Sequence, residues 1–167
     1  MELTKEFKRN FERQGFFNEA WERRKSPVRP GGTILVHTGD LRRSVRSRTT
    51  GNSITFYTDL PYADIHNEGG EIKVTQKMKG FFWRRYKETT GAFGRKKDGT
   101  LRNDKRNRRL STEAEFWKSM ALKKAGSTIK IPRRQFLGTS PEVEEIVRKI
   151  MEEDLENYFN NEFEIGK

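Results

Sequence analysis

Residues 140–159 read SPEVEEIVRKIMEEDLENYF. Ser140 can accept a hydrogen bond from the first turn, and Pro141 takes the first helical position, where a missing N–H costs nothing. Val143, Ile146, Val147, Ile150, Met151, Leu155, Tyr158 and Phe159 then hold one face for about five turns at 3.6 residues each. The pattern predicts a closing helix over 141–160 whose apolar face is wide enough to pack on a sheet. Just before it, Pro132 and the corner Phe136-Leu137-Gly138 pin the entry to that helix, with Phe136 and Leu137 expected inside. Ile129-Lys130-Ile131 reads as a short strand.

Working further back, Thr112-Glu113-Ala114-Glu115 fits a capping box, with Phe116, Trp117, Met120 and Ala121 as an apolar stripe behind it. Residues 75–110 look different. Outside an aromatic knot of Phe81, Phe82, Trp83 and Tyr86 they are almost entirely Lys, Arg, Gly, Asn and Thr, without a period of 2 or 3.6. The segment 75–112 is therefore expected to be a long basic excursion between the last strands, poorly ordered in the free subunit. It is too polar to offset an ordering cost of roughly 1–2 kcal/mol per residue.

The amino-terminal half has a clearer pattern. Leu3, Phe7 and Phe11 recur every four residues and predict a helix; Gln14-Gly15 interrupts it, and Phe16, Phe17, Ala20 and Trp21 resume it. Ser26 to Gly32, rich in proline and glycine, reads as loop. Thr38 is placed to cap a short helix through Leu41, Arg42 and Val45, with Asp40 in its first turn. Val45–Thr49 and Ser53–Thr58, joined at Gly51-Asn52, read as a hairpin. Leu60-Pro61-Tyr62 opens a helical turn that Gly69-Gly70 closes.

Composition narrows the function. With 32% apolar and 35% charged residues in 167, the chain has little material for a large private core, and one domain with one appendage is expected. It has no cysteine, which removes disulfides and thiolate metal sites. Met1–Glu6 holds no apolar signal core, and no stretch approaches the roughly 18 apolar residues of a membrane span. The protein is thus expected to be kept in a cytoplasm or packed into a particle there. Net charge is +11, but unevenly spread: +2 over residues 1–72, +15 over 73–140 and −6 over 141–167. A basic middle and an acidic tail call for two electrostatic partners, one of which can be a neighbouring copy of the chain.

No complete catalytic constellation emerges. The only histidines are His37 and His66. His66 sits among Asp64, Asn67 and Glu68, but a metal site wants three or four ligands at defined spacing and a second cluster is missing. Ser44, Asp64 and His66 lack the glycine pattern of a nucleophile elbow. Gly31-Gly32-Thr33 is too short to cradle phosphate. No catalytic, cofactor-binding or metal-binding residue is assigned. What remains is the basic segment: Arg84, Arg85, Arg95, Lys96, Lys97, Arg102, Lys105, Arg106, Arg108 and Arg109, with aromatics between them. These could pair with acidic protein surface, the favoured reading, or neutralise phosphates and stack on bases.

Three strings stand in order: Leu35–Ser44 (LVHTGDLRRS), Pro61–Gly70 (PYADIHNEGG) and Ile131–Ser140 (IPRRQFLGTS). Their steps are Thr38, Gly39, Leu41, Arg42 and Ser44; Tyr62, Ala63, His66 and Gly69; and Pro132, Arg133, Phe136, Leu137 and Gly138. The ordered series resembles the phage virion morphogenesis family, the tail-completion proteins of long-tailed phages and prophages. The likeness covers about residues 1–74 and 113–160. Arg134-Gln135 stands where a proline often follows the family arginine, and 75–112 looks like an enlarged insertion. The resemblance implies an α+β subunit, an antiparallel sheet packed by amino- and carboxy-terminal helices. It also implies a structural protein, not an enzyme, without cofactor, small-molecule substrate or membrane. Its partners would be copies of itself in a head–tail neck or tail-completion ring and other neck, connector and tail proteins. The alternative, read from the basic residues, is a standalone nucleic-acid-binding protein that uses the 75–110 arm; in the ring subunit the same arm could contact packaged DNA. It would be assembled in the bacterial host cytoplasm and lie in the neck or tail region of the virion.

Overall fold

The computed structural model describes residues 2–28, 31–51 and 53–164, with side chains to 160. Arg29-Pro30 of the expected loop and Asn52 of the expected turn lie outside the described residues. The fold is α+β, with six helices and three separate antiparallel strand pairs in place of the single sheet expected. The chain divides into two compact units. One gathers the chain up to Glu22, Thr33–Glu68 and everything from Arg133; the other comprises Arg23–Gly32 and Gly69–Pro132.

In the first unit, helix α1 (Glu2–Arg13) buries Leu3, Phe7 and Phe11, as the four-residue spacing requires. It does not resume after Gly15. Strands β1 (Gly15–Phe16) and β2 (Glu19–Ala20) form a minimal hairpin instead, with Gly15 opposite Ala20. A Cβ on Gly15 would lie 2.5 Å from the Glu19 carbonyl oxygen, so only glycine lets the two strands approach so closely. Gln14 (φ 57°) makes the reversal, and its side chain binds the backbone of Phe11 and Ile34. Phe16 and Trp21 reach the core through this turn, not along a helix.

Helix α2 (Asp40–Ser44) starts at Gly39, not at Thr38. Gly39 takes φ 78°, which disfavours any residue with a Cβ, and the Thr38 hydroxyl donates to the Asp40 carboxylate and not to the helix. The hairpin forms as read: β3 (Arg46–Thr50) pairs with β4 (Ser53–Tyr57), from Arg46 opposite Tyr57 to Thr50 opposite Ser53. Helix α3 (Ala63–Asn67) follows, and Gly69 leaves it at φ 73°. The core joins Leu3, Phe7, Phe11, Phe16, Trp21, Leu41, Val45, Ala63, Phe136 and Val143. Phe7 meets Phe56 edge-on at 5.1 Å, and Phe11 lies 5.2 Å from Phe136 and 5.7 Å from Trp21. Each fully buried aromatic of this kind contributes about 1.5–3 kcal/mol.

The closing helix α6 (Pro141–Glu164) is capped as expected, the Val143 N–H donating to the Ser140 hydroxyl at 3.3 Å. Its packing departs from expectation. Val143 is buried and Ile146 and Ile150 are half-buried against the core, but Val147, Met151, Leu155, Tyr158 and Phe159 are exposed. The helix runs on past the material that could cover it.

The second unit overturns the expected excursion. Strand β5 (Gly70–Lys73) pairs with β6 (Thr128–Ile131), Gly70 opposite Ile131. Between them α4 (Gln76–Gly91) and α5 (Lys105–Leu122) fold back on each other as an antiparallel hairpin, with Phe82 stacked on Trp117 at 6.1 Å and Leu110, Ala114 and Ala121 buried. Thr75 and Asp104 cap them through Met78 N–H (3.2 Å) and Asn107 N–H (2.8 Å). The expected capping box at Thr112 is mid-helix, its hydroxyl bonded to the Arg108 carbonyl at 3.2 Å. Periodicity existed but was written partly in polar letters: Phe82, Arg85 and Thr89 on α4 face Asn107, Leu110, Ala114, Trp117 and Ala121 on α5. Arg85 belongs there because its guanidinium lies 5.5 Å above Trp117 while reaching Glu88 at 2.6 Å.

Candidate assembly surfaces

The second and third sequence strings meet in the first unit. Asn67 Oδ1 accepts from the N–H groups of Phe136 (2.9 Å) and Leu137 (3.0 Å), and the Arg134 N–H donates to the His66 carbonyl at 2.8 Å. One side chain on α3 thus holds the corner ahead of α6. Trp21 Nε1 donates to the Gln135 carbonyl at 2.7 Å, and the Arg134 guanidinium donates to the Glu22 carbonyl at 3.1 Å. Asn10, fully buried, accepts from Phe17 N–H at 3.0 Å and donates to the Phe136 carbonyl at 3.4 Å. Phe136 is fully buried; Leu137 is only half-buried, short of expectation.

The remaining motif residues have structural partners or open positions. Leu41 and Ala63 are buried, Arg42 pairs with Glu12 at 2.7 Å, and the Ser44 hydroxyl is held by the Leu41 carbonyl (2.8 Å) and Thr58 (2.6 Å). Ser44 is therefore bonded away from His66. Tyr62 is exposed, 6.2 Å edge-on from His66, and Arg133 is exposed with a 2.6 Å bond to Gln135. Gly138 is exposed at φ 137°, and Thr38 is exposed. Gly69 and Pro132 fall in the second unit.

His66 Nδ1 is buried and finds no hydrogen-bond partner among the described residues. Burial, and then the Arg134 charge, push its pKa below the ordinary value, so the ring stays neutral near neutral pH. Beside this corner a cleft of about 500 Å³ is lined by Phe56, Thr58, Asp64, Glu68, Arg133 and Leu137. Among the described residues no group of three His, Asp or Glu side chains could hold a metal ion, and no helix is long and apolar enough to cross a membrane.

In the second unit the basic residues separate into two sets. Arg85 is part of the hairpin's own packing, Arg84 lies 5.4 Å over Phe81, Arg95 donates to the Gly99 carbonyl (2.9 Å), Arg102 to the Arg95 carbonyl (3.0 Å) and Arg106 weakly to Ala92 (3.5 Å). Lys96, Lys97, Lys105, Arg108 and Arg109 are exposed and make no side-chain bond among the described residues. The connection that carries them is organised by Asn107, which accepts from Gly94 N–H (2.8 Å) and donates to the carbonyls of Gly94 (2.8 Å) and Arg102 (2.7 Å).

The model of the phage virion morphogenesis family matches residues 1–156. The chain belongs to this family. The matched span takes in residues of both units. No curated protein matches the chain, and neither does any solved structure. Membership of the phage virion morphogenesis family gives it a structural role in assembling a bacteriophage particle. What motif reading missed in this family member are the organising amides: Asn10, Gln14, Asn67 and Asn107. Only Asn67 lay inside a quoted string, and a buried amide leaves no periodic signal.

Proposed function

We propose that the chain is a subunit of a head–tail neck or tail-completion ring that joins the tail to the capsid connector, and that it performs no catalysis. The observation carrying this is the carboxy-terminal half of α6, where Met151, Leu155, Tyr158 and Phe159 stand more than half exposed on one helix. Soluble monomers rarely expose contiguous apolar surface of that kind, and it marks an interaction site. Rings arise from head-to-tail contacts that close by rotation, so each copy must offer two different surfaces. Light scattering of the purified protein, with negative-stain imaging, should give annular particles of one mass. A monomer at every concentration overturns the reading.

A second reading is favoured by one feature, the five exposed and unbonded cations at one end of the α4–α5 hairpin. If they bind nucleic acid, affinity for duplex DNA falls steeply with salt, with a slope of about −0.9 for each phosphate neutralised. Neutralising Lys96, Lys97, Lys105, Arg108 and Arg109 together would then spare assembly and impair DNA retention by particles. Under the ring reading alone, DNA retention stays normal.

A further inference from the structure

The exposed stripe of α6 follows the spacing 147, 151, 155, 158, one face of a helix. Residues 150–164 around it carry six Asp or Glu and no Lys or Arg: Glu152, Glu153, Asp154, Glu156, Glu162 and Glu164. That charge selects the occupant. Two such stripes laid against each other would bring the carboxylates of Glu152, Glu153, Asp154 and Glu156 from both copies together, and a nucleic acid or an anionic membrane would be repelled. The surface that fits is apolar and basic.

The α4–α5 hairpin has such a surface. Residues 76–124 carry 16 Lys or Arg against 5 Asp or Glu. The outer face of α4 presents Gln76, Gly80, Trp83 and Lys87 at the spacing of α6, with Arg84 alongside, and all are exposed. Trp83 is a large apolar side chain left 37% exposed, with the Tyr86 ring edge-on at 5.7 Å. Gly80 weakens a helix interior, yet a Cβ there would meet nothing within 4 Å. Among the described residues nothing occupies the place of a Cβ at Gly80, which leaves room for a second helix to lie close across α4.

We propose that the exposed half of α6 docks on the outer face of α4, around Gly80, Trp83 and Lys87, in a second copy of the chain. Each copy then gives one helix and receives another, which supplies the two unlike surfaces a ring needs; the inference rests on the ring reading. Met151, Leu155 and Tyr158 meet Trp83 in the notch over Gly80, and the α6 carboxylates face Arg84 and Lys87.

Two double variants test it. The donor variant carries Met151→Glu and Leu155→Glu; the acceptor variant carries Trp83→Glu and Lys87→Glu. All four sites are exposed, so circular dichroism and thermal unfolding should match the wild type. Light scattering should find each variant monomeric alone. An equimolar mixture should form a species of two copies and nothing larger, because one intact donor and one intact acceptor remain between them. Gly80→Met, which fills the notch without touching the hairpin's own packing, should weaken wild-type assembly at least tenfold and stands in if a charged variant misfolds. An acceptor variant or a Gly80→Met chain that assembles like wild type, or a mixture that stays monomeric, overturns this inference and leaves the ring reading intact. A wild-type chain that is monomeric at every concentration overturns both.

Discussion

The two units hold themselves together by different means. The first is an aromatic core closed by contacts between distant parts of the chain: Asn10 reaches Phe136, 126 residues away, and Phe136 itself is fully buried. The second is local, two capped helices folded on each other, with Arg85, Thr89 and Asn107 built into the face that pairs them. The contrast teaches that a low apolar content need not mean an unfolded arm. A helical hairpin nucleates locally and needs few long-range contacts, so it can use an arginine stacked on tryptophan where the first unit, closed by distant segments, uses phenylalanine.

The comparison breaks most readily at the core aromatics. Phe136→Ala should cost the first unit about 3–5 kcal/mol, since it empties a fully buried ring site. Phe82→Ala should cost the second unit less, because Phe82 retains some exposure and Trp117 keeps its contacts with Phe81 and Phe116. Urea titration followed by tryptophan fluorescence reads both; equal losses would show that the second unit depends on its aromatics as heavily as the first.

The organising amides come next. Asn67→Ala leaves two backbone N–H groups unpaired and Asn107→Ala frees the connection ahead of α5, each costing about 1–3 kcal/mol. Hydrogen exchange on the free chain should place the first effect at Phe136 and Leu137 and the second at Gly94. The same measurement on the wild type should find amides within Phe82–Thr89 protected, whereas an unstructured basic arm would exchange at once.

A smaller effect has the opposite sign. Gly80→Ala should stabilise the free chain by roughly 0.5–1 kcal/mol, because alanine is the better helix former and a Cβ meets nothing there. A loss of stability in thermal unfolding would mean that α4 has a constraint at this position within its own chain.

The smallest separates the units by pH. Burial, and then the Arg134 charge, depress the His66 pKa, so the unfolded chain binds its proton more readily than the folded one. Its contribution is present above the unfolded value of about 6.5 and is lost as pH falls through the lower folded value. His66→Gln should flatten the fall in unfolding midpoint just below pH 6.5. An unchanged profile would assign that slope to other groups. Glu6 is depressed by charge: burial raises its pKa, but Arg13 and Arg9 together hold it below the usual carboxylate value.

Much of the first unit was legible because its signals are short-range. The spacing of Leu3, Phe7 and Phe11, the turn at Gly51, and Ser140-Pro141 act through neighbours within a few residues, and each element formed where those neighbours placed it. The three motif strings were legible as a family mark, and a physical reason for the second and third is visible in the corner that Asn67 holds. The second unit was not, since Arg85, Thr89 and Asn107 count as polar in any hydropathy pattern, yet Thr89 and Asn107 are buried and Arg85 lies over Trp117.

By itself, then, the amino-acid sequence determined the start of the closing helix, the hairpin, the absence of thiol chemistry and the polarity of charge along the chain, because all of these follow from residue type and local spacing. Only the tertiary structure decided that residues 76–122 are a folded hairpin and that the apolar face of α6 is covered as far as Ile150 and bare beyond it. Periodicity reports that a face is apolar. Whether that face is buried depends on how far the rest of the chain reaches, and here the core ends before the helix does.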